Sequence, residues 1–118
     1  MTFGTNAAAT DRRDGPRRTC RLRASVAPAG QPAMPGFSID IGRDGMAMLL
    51  DAPLRPGQAC DISFNVFAKG AVQRVDVKAQ ALTSVFVRDA VRVSFSFNNV
   101  GLDAQRVLTE FVSFGATR

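Results

Sequence analysis

Two short stretches carry the side chains best suited to chemistry. The first, DRRDGPRRTCRLR over residues 11–23, sets six arginines against two aspartates, a net +4 out of the chain's formal +5. Guanidinium groups are planar forks that grip phosphate oxygens in pairs and also stack on a nucleobase, so the run suits a ligand with both features. Gly15-Pro16 prevents a regular helix between Arg13 and Arg17, which puts these groups on a bent, adaptable segment. The second stretch is DIGRDG, in which Asp40 is followed by Gly42 and Gly45. An outward Asp40 carboxylate can accept two parallel hydrogen bonds from a donor edge such as that of guanine. Gly45 permits a positive φ and close backbone approach. Each stretch also has a plainer reading, the first as a solvated basic tail and the second as an ordinary hairpin turn.

What the chain lacks narrows the remaining chemistry. It has no His, Tyr or Trp, which removes the commonest general base and the commonest zinc ligand and leaves no His-based triad or metal site. The carboxylates, two lysines, serines and two cysteines form no acid/base or nucleophile constellation at motif spacing, so no catalytic residue and no metal ligand is assigned. Cys20 and Cys60 both fall on inward positions of alternating segments, as buried free thiols or as a strand-to-strand disulfide. The opening MTFGTNAAAT has neither the basic start nor the apolar stretch of a signal peptide, and no apolar run is long enough to span a membrane. The expectation is a soluble, cytoplasmic, single-domain protein of 118 residues.

The elements that must position the two motifs are legible as alternation. Residues 1–18 lack apolar periodicity and read as a flexible basic arm, with a folded domain over 19–118. Cys20, Leu22, Ala24 and Val26 alternate with polar residues as a first half-buried strand. The proline-rich APAGQPAMPG predicts a loop over 27–36. In FSIDIG, Phe37, Ile39 and Ile41 are expected to face the core, with Ser38 and Asp40 outward. GRDG is a tight turn into MAMLL, and CDISFNVF, RVDVKAQALTSVF and AVRVSFSF complete six strands. GLDAQRVLTEFVSF has Val107, Leu108, Phe111 and Val112 at helical spacing, with Asp103 in the place of an N-cap. Six short antiparallel strands and a closing helix make an all-β fold, most economically a small barrel whose closure removes exposed edges and whose helix covers one end. Phe64, Phe95, Phe97 and Phe111 share the aliphatic face and belong to the core.

In this order the motifs resemble the PilZ domain. An RRxxxR arm (Arg12, Arg13 and Arg17), a strand, a D/N-x-S-x-x-G turn (Asp40, Gly42, Gly45), an apolar strand and the turn Pro53-Leu54-Arg55-Pro56-Gly57 span nearly the whole chain, from 12 to 114. The resemblance implies a six-stranded antiparallel barrel that serves as a receptor for the bacterial second messenger cyclic di-GMP, with no other cofactor. It implies that Arg13 and Arg17 grip phosphates and stack on guanine, with Arg12 and Arg18 as supporting charges. Asp40 would read a guanine edge, and Gly45 would keep the turn tight. Gly42 stands where the family pattern has Ser, and a missing ligand hydrogen bond of roughly 0.5–3 kcal/mol weakens binding several-fold to over a hundredfold. Three functions are thereby distinguished. The first is a stand-alone receptor that switches an unidentified protein partner. The second is a degenerate domain that acts as a protein–protein adaptor in motility or pilus machinery. The third, a barrel that binds a nucleic-acid polymer, is disfavoured by the inward placement of the Phe residues.

Overall fold

A computed structural model describes residues 15–115 as seven strands and one helix. The strands are β1 (Arg17–Thr19), β2 (Arg23–Pro28), β3 (Met34–Gly42), β4 (Gly45–Leu50), β5 (Ala59–Ala68), β6 (Ala71–Val87) and β7 (Ala90–Asn98), and the helix α1 is Leu102–Gly115. All pairings are antiparallel, in the order β1-β3-β2-β5-β6-β7-β4, and a further β3–β4 pairing closes the sheet on itself. β1 and β2 both lie along the same flank of β3. They are two pieces of one barrel strand, so the architecture is the six-stranded closed barrel with a C-terminal helix.

Alternation drives this architecture. In β5 every second residue is buried, from Cys60 through Ile62, Phe64 and Val66 to Ala68, the period-two pattern of a wall with one dry face. The same buried cluster takes in Ile41, Met46, Met48 and Leu50 from β3 and β4, and Leu108, Phe111 and Val112 from α1. The helix packs against β1, β3, β5 and β6 and becomes part of the core. Phe64, Phe95 and Phe111 are buried, and Phe97 packs partly buried at the edge of the core.

Several expectations are corrected. The loop predicted over 27–36 shrinks to residues 29–33, because Pro28 and Pro35 lie within strands. Pro28 lies past the last β2–β3 pair and Pro35 past the last β3–β4 pair, so each needs a ladder partner on one side only. Strand pairing reaches back to Arg17, two residues before the expected start of the folded domain at 19. Helix α1 begins at Leu102, and its first backbone bond runs from Gln105 N–H to the Gly101 carbonyl. Asp103 therefore stands inside the first turn, where its charge favours the helix dipole without capping.

The largest correction concerns β3. A bulge at Ile39 shifts its register against β4, so that Ser38 pairs with Met48 and Asp40 with Ala47. One added residue reverses the faces of everything on one side of it. Ser38 is therefore buried, at 2% exposure, and Phe37 lies outward beneath Arg21 and Arg23, whose guanidinium carbons stand 4.1 and 5.4 Å from its ring centroid.

The buried hydroxyl has a structural task. Between β1 and β2, residues 20–22 leave the ladder, and three residues there face two on β3. Ser38 Oγ accepts from Leu22 N–H at 2.9 Å and donates to the Cys20 carbonyl at 2.6 Å, while Ser38 N–H donates to the Leu22 carbonyl at 2.8 Å. Cys20 and Cys60 are free thiols. Burial pushes the pKa of both upward, partly offset at Cys20 by its hydrogen bond with Ser38 and by nearby Arg18, so both stay protonated and poorly nucleophilic at neutral pH.

Ser38→Ala leaves the part-buried Leu22 N–H and Cys20 carbonyl without this partner, and it should cost about 1–3 kcal/mol of folding stability. Chemical denaturation of the variant against wild type measures this loss, and an unchanged midpoint would remove Ser38 from its role as the strand's splice.

Candidate functional site

The bulge at Ile39 sets the local geometry of the second motif. With the register shifted, Asp40 and Gly42 lie two apart on the outer face of β3, while Ile41 between them is fully buried. β1 runs alongside, with Arg17 opposite Gly42 and Thr19 opposite Asp40. Arg17 therefore crosses diagonally over Gly42. Its Nη2 and Nε donate to Asp40 Oδ1 at 2.5 and 3.1 Å, and each side chain is 25% exposed. Both bonds fall on the same carboxylate oxygen, and Asp40 Oδ2 has no hydrogen-bond partner among the described residues.

Gly42 is what allows this crossing. A Cβ at position 42 would lie 3.3 Å from Arg17 Nη1, 3.4 Å from Arg17 Cδ and 3.4 Å from the Pro16 carbonyl oxygen. Those contacts are tight, but the nearest is the mobile end of a side chain, so a serine fits once Arg17 moves by a few tenths of an ångström. Gly45 meets one half of its expectation, close backbone approach, and not the other. Its φ is not in the positive region, which among the described glycines is occupied by Gly30, Gly57 and Gly70. A Cβ at Gly45 would instead collide with the Phe95 carbonyl oxygen of β7, whose Ser96 lies opposite it. The glycine is needed for close strand approach.

The other arginines of the run point elsewhere. Arg18, one residue on, turns to the opposite face, where its guanidinium lies 4.1 Å from the Phe111 ring centroid and Nη1 donates to the Phe111 carbonyl at 3.1 Å. It ties β1 to the last turns of α1, where a cation also meets the negative end of the helix dipole. Arg12 and Arg13, with the rest of residues 1–14, lie outside the described residues. The structure thus brings Arg17, Asp40 and Gly42 together, keeps Gly45 at the neighbouring strand start, and places Arg18 against the helix.

Arg17 and Asp40 form one rim of an outer cleft of about 370 Å³. Its floor follows a row of cross-strand neighbours, Asp40–Ala47–Ser94–Thr83, running over β3, β4, β7 and β6. Arg92 lines the cleft from β7. Thr83 reaches this face because of a second bulge, at Leu82, which sends Ser84 inward to bond the backbone of Leu54. Sequence reasoning did not single out Thr83, Arg92 or Ser94. The alternation of Val91, Val93 and Phe95 marks Arg92 and Ser94 as outward, but only closure of the barrel brings them beside Asp40.

Arg18→Ala should lower stability by about 1–2 kcal/mol, from the lost ring contact and helix hydrogen bond. Arg17→Ala, whose partner sits at a solvated rim, should change stability far less. Paired thermal melts of the two variants test the division of labour, which equal losses would contradict.

The model of the PilZ domain family matches residues 11–114. A comparison with curated protein sequences gives no match. Among solved structures, the chain is similar to the Bacillus subtilis inhibitor of motility MotI/DgrA, with a TM-score of 0.76 and 12% identity over 87% of this chain and 50% of that one. The chain thus spans half the length of that protein. It is also similar to the PilZ domain of YcgR from Escherichia coli, solved with c-di-GMP, with a TM-score of 0.65 and 19% identity over 84% of this chain and 87% of that one. A second YcgR structure in complex with c-di-GMP gives a TM-score of 0.66 and 23% identity, over 83% of this chain and 43% of that one. At these identities the likeness is one of fold.

Proposed function

Because the chain belongs to the PilZ domain family, a family of cyclic di-GMP receptors, we propose that it is a cytoplasmic cyclic di-GMP receptor that switches a partner protein on binding. The observation that carries this reading is the Arg17–Asp40 pair set over Gly42 at the rim of a cleft. It joins a phosphate-binding cation and a guanine-reading carboxylate in one place. In the proposed complex the guanine imino and amino groups donate to Asp40, one to the open Oδ2 and one to Oδ1. Arg17 gives up its hold on Oδ1 and turns to a phosphate, joined by Arg13, with Arg12 supplying further positive charge. Arg18 acts from behind, by holding β1 on the helix. Binding exchanges one ion pair for another, and the outer surface around β1 changes with it. That altered surface is what the partner reads.

The chemistry is recognition, and the described residues hold no group of three or more Cys, Asp or Glu able to bind a metal ion. Among the described residues no helix is long and apolar enough to cross a membrane.

One observation favours a second reading, the nucleotide-independent adaptor. Gly42 supplies no hydroxyl to a ligand, and Arg17 already satisfies part of Asp40. The two readings diverge in calorimetry.

Titration of cyclic di-GMP into wild type at near-physiological salt should give a saturable, selective heat that Arg13→Ala, Arg17→Ala and Asp40→Ala each abolish. Gly42→Ser should tighten binding several-fold to over a hundredfold, because it adds a hydroxyl and loosens Arg17 from Asp40. Silence in wild type with recovery in Gly42→Ser would mean that the missing hydroxyl disarmed the site. Silence in both would favour the adaptor.

A further inference from the structure

The cleft has a second rim. Arg92 projects from the outer face of β7, exposed, and among the described residues it has neither an ion-pair nor a hydrogen-bond partner. The register fixes its separation from Asp40. Asp40 pairs with Ala47 and Ala47 with Ser94, so β4 alone lies between the two strands, and Arg92 stands one outward position along from Ser94. At strand spacings of about 4.8 Å and a rise of about 3.4 Å per residue, the two Cα atoms are roughly 12 Å apart. Side chains stand roughly perpendicular to a sheet, so a carboxylate and a guanidinium rising side by side from this outer wall keep about that separation at their tips, room for a purine and a hydrogen bond at each edge. Beside Asp40 the floor is Ala47, 3% exposed, and Ser94, both too small to obstruct a flat ring, while Leu49 is the residue paired with Arg92 and offers that rim an apolar flank.

The two ends carry complementary chemistry. A carboxylate accepts from the imino and amino groups of guanine, and an arginine fork donates to O6 and N7 on the adjoining edge. Adenine offers an amino group where guanine has O6, and would leave an arginine donor facing a donor. Two β-bulges flank this surface, Ile39 on β3 and Leu82 on β6, and each turns a polar residue outward onto it. Bulges re-aim side chains at sites where strict alternation would send them to the wrong face.

Resting on the receptor reading above, we propose that Arg92 is a ligand-contacting, specificity-determining residue that donates to O6 and N7 of the guanine held by Asp40. The guanine then lies across β4 between the two rims. The cleft, at the small end of the roughly 300–1,000 Å³ range of ligand pockets, holds this part of the dinucleotide, and the remainder lies toward Arg17.

Calorimetric titration with cyclic di-GMP and with its 7-deazaguanine analogue, which lacks N7, tests this on four proteins: wild type, Arg92→Ala, Arg92→Lys and Arg88→Ala. Wild type should bind the natural ligand several-fold more tightly than the analogue. Arg92→Ala should bind cyclic di-GMP about tenfold or more weakly and no longer distinguish the two ligands. Arg92→Lys should recover little, since an ammonium is not a fork. Arg88→Ala removes the same charge from the neighbouring hairpin and should bind like wild type, and all four proteins should share one melting temperature. If Arg92→Ala binds like wild type, still discriminates against the analogue, or loses no more than Arg88→Ala, the assignment of Arg92 is overturned while the receptor reading stands. If wild type binds no cyclic di-GMP, the receptor reading falls and this one with it.

Discussion

The single residue inserted at Ile39 is the constraint on which the rest of the site depends. Side chains on a strand alternate with a period of two, so an unbroken register in β3 would put Asp40 on the same face as Ser38. The bulge reverses the phase between them. It puts a carboxylate on the outer surface and Ile41 in the core, and it leaves Ser38 inward, where its hydroxyl closes the gap between β1 and β2. A hydroxyl left unpaired at that depth would oppose folding, so the splice at Ser38 and the exposure of Asp40 are two results of one local distortion. Stability of the first strand and the aim of the binding group are thereby coupled.

The same alternation sorts the arginines. Arg17 and Arg18 are adjacent and chemically identical, yet one faces the cleft and the other the helix. Arg21 and Arg23 cover Phe37, an aromatic ring that the bulge has turned outward. The basic run is therefore several structures at once. A patch read from net charge alone would treat these groups as interchangeable, whereas their contacts divide them between the outer cleft, helix attachment and shielding of an exposed ring.

Much of this was legible in the sequence. The barrel followed from alternation in CDISFNVF and AVRVSFSF, where no residue interrupts the pattern, and the helix from the spacing of Leu108, Phe111 and Val112. The approach of Arg17 to Asp40 required the family motif as well, because 22 residues separate them and only strand pairing joins them. What was not legible has one physical origin. A bulge is a single extra residue with no required residue type, and FSIDIG alternates well enough in either phase to hide it. The outward Phe37, the inward Ser38 and the outward Thr83 all follow from such insertions. Gly45 reads from the sequence as a position for a positive φ and close backbone approach, and only the second holds, against a partner strand that a turn motif does not identify. Alternation in AVRVSFSF leaves Arg92 outward, but which outward residues are neighbours depends on how the barrel closes.

Gly42 shows how the absence of a side chain can change a site by more than one hydrogen bond. Without a Cβ there, Arg17 lies flat enough to place two donors on Asp40 Oδ1. Under the proposed function the resting site is partly occupied by the protein's own cation, and an incoming guanine would compete for an oxygen already engaged. Such competition would cost less than desolvating a bare carboxylate, because in the proposed complex the released guanidinium passes directly to a phosphate. In that reading the Arg17–Asp40 pair stays neutral until a ligand that carries both a donor edge and an anion arrives. Neither a free phosphate nor a free purine can satisfy both halves of the opened pair, so the demand for both in one molecule is itself a source of selectivity.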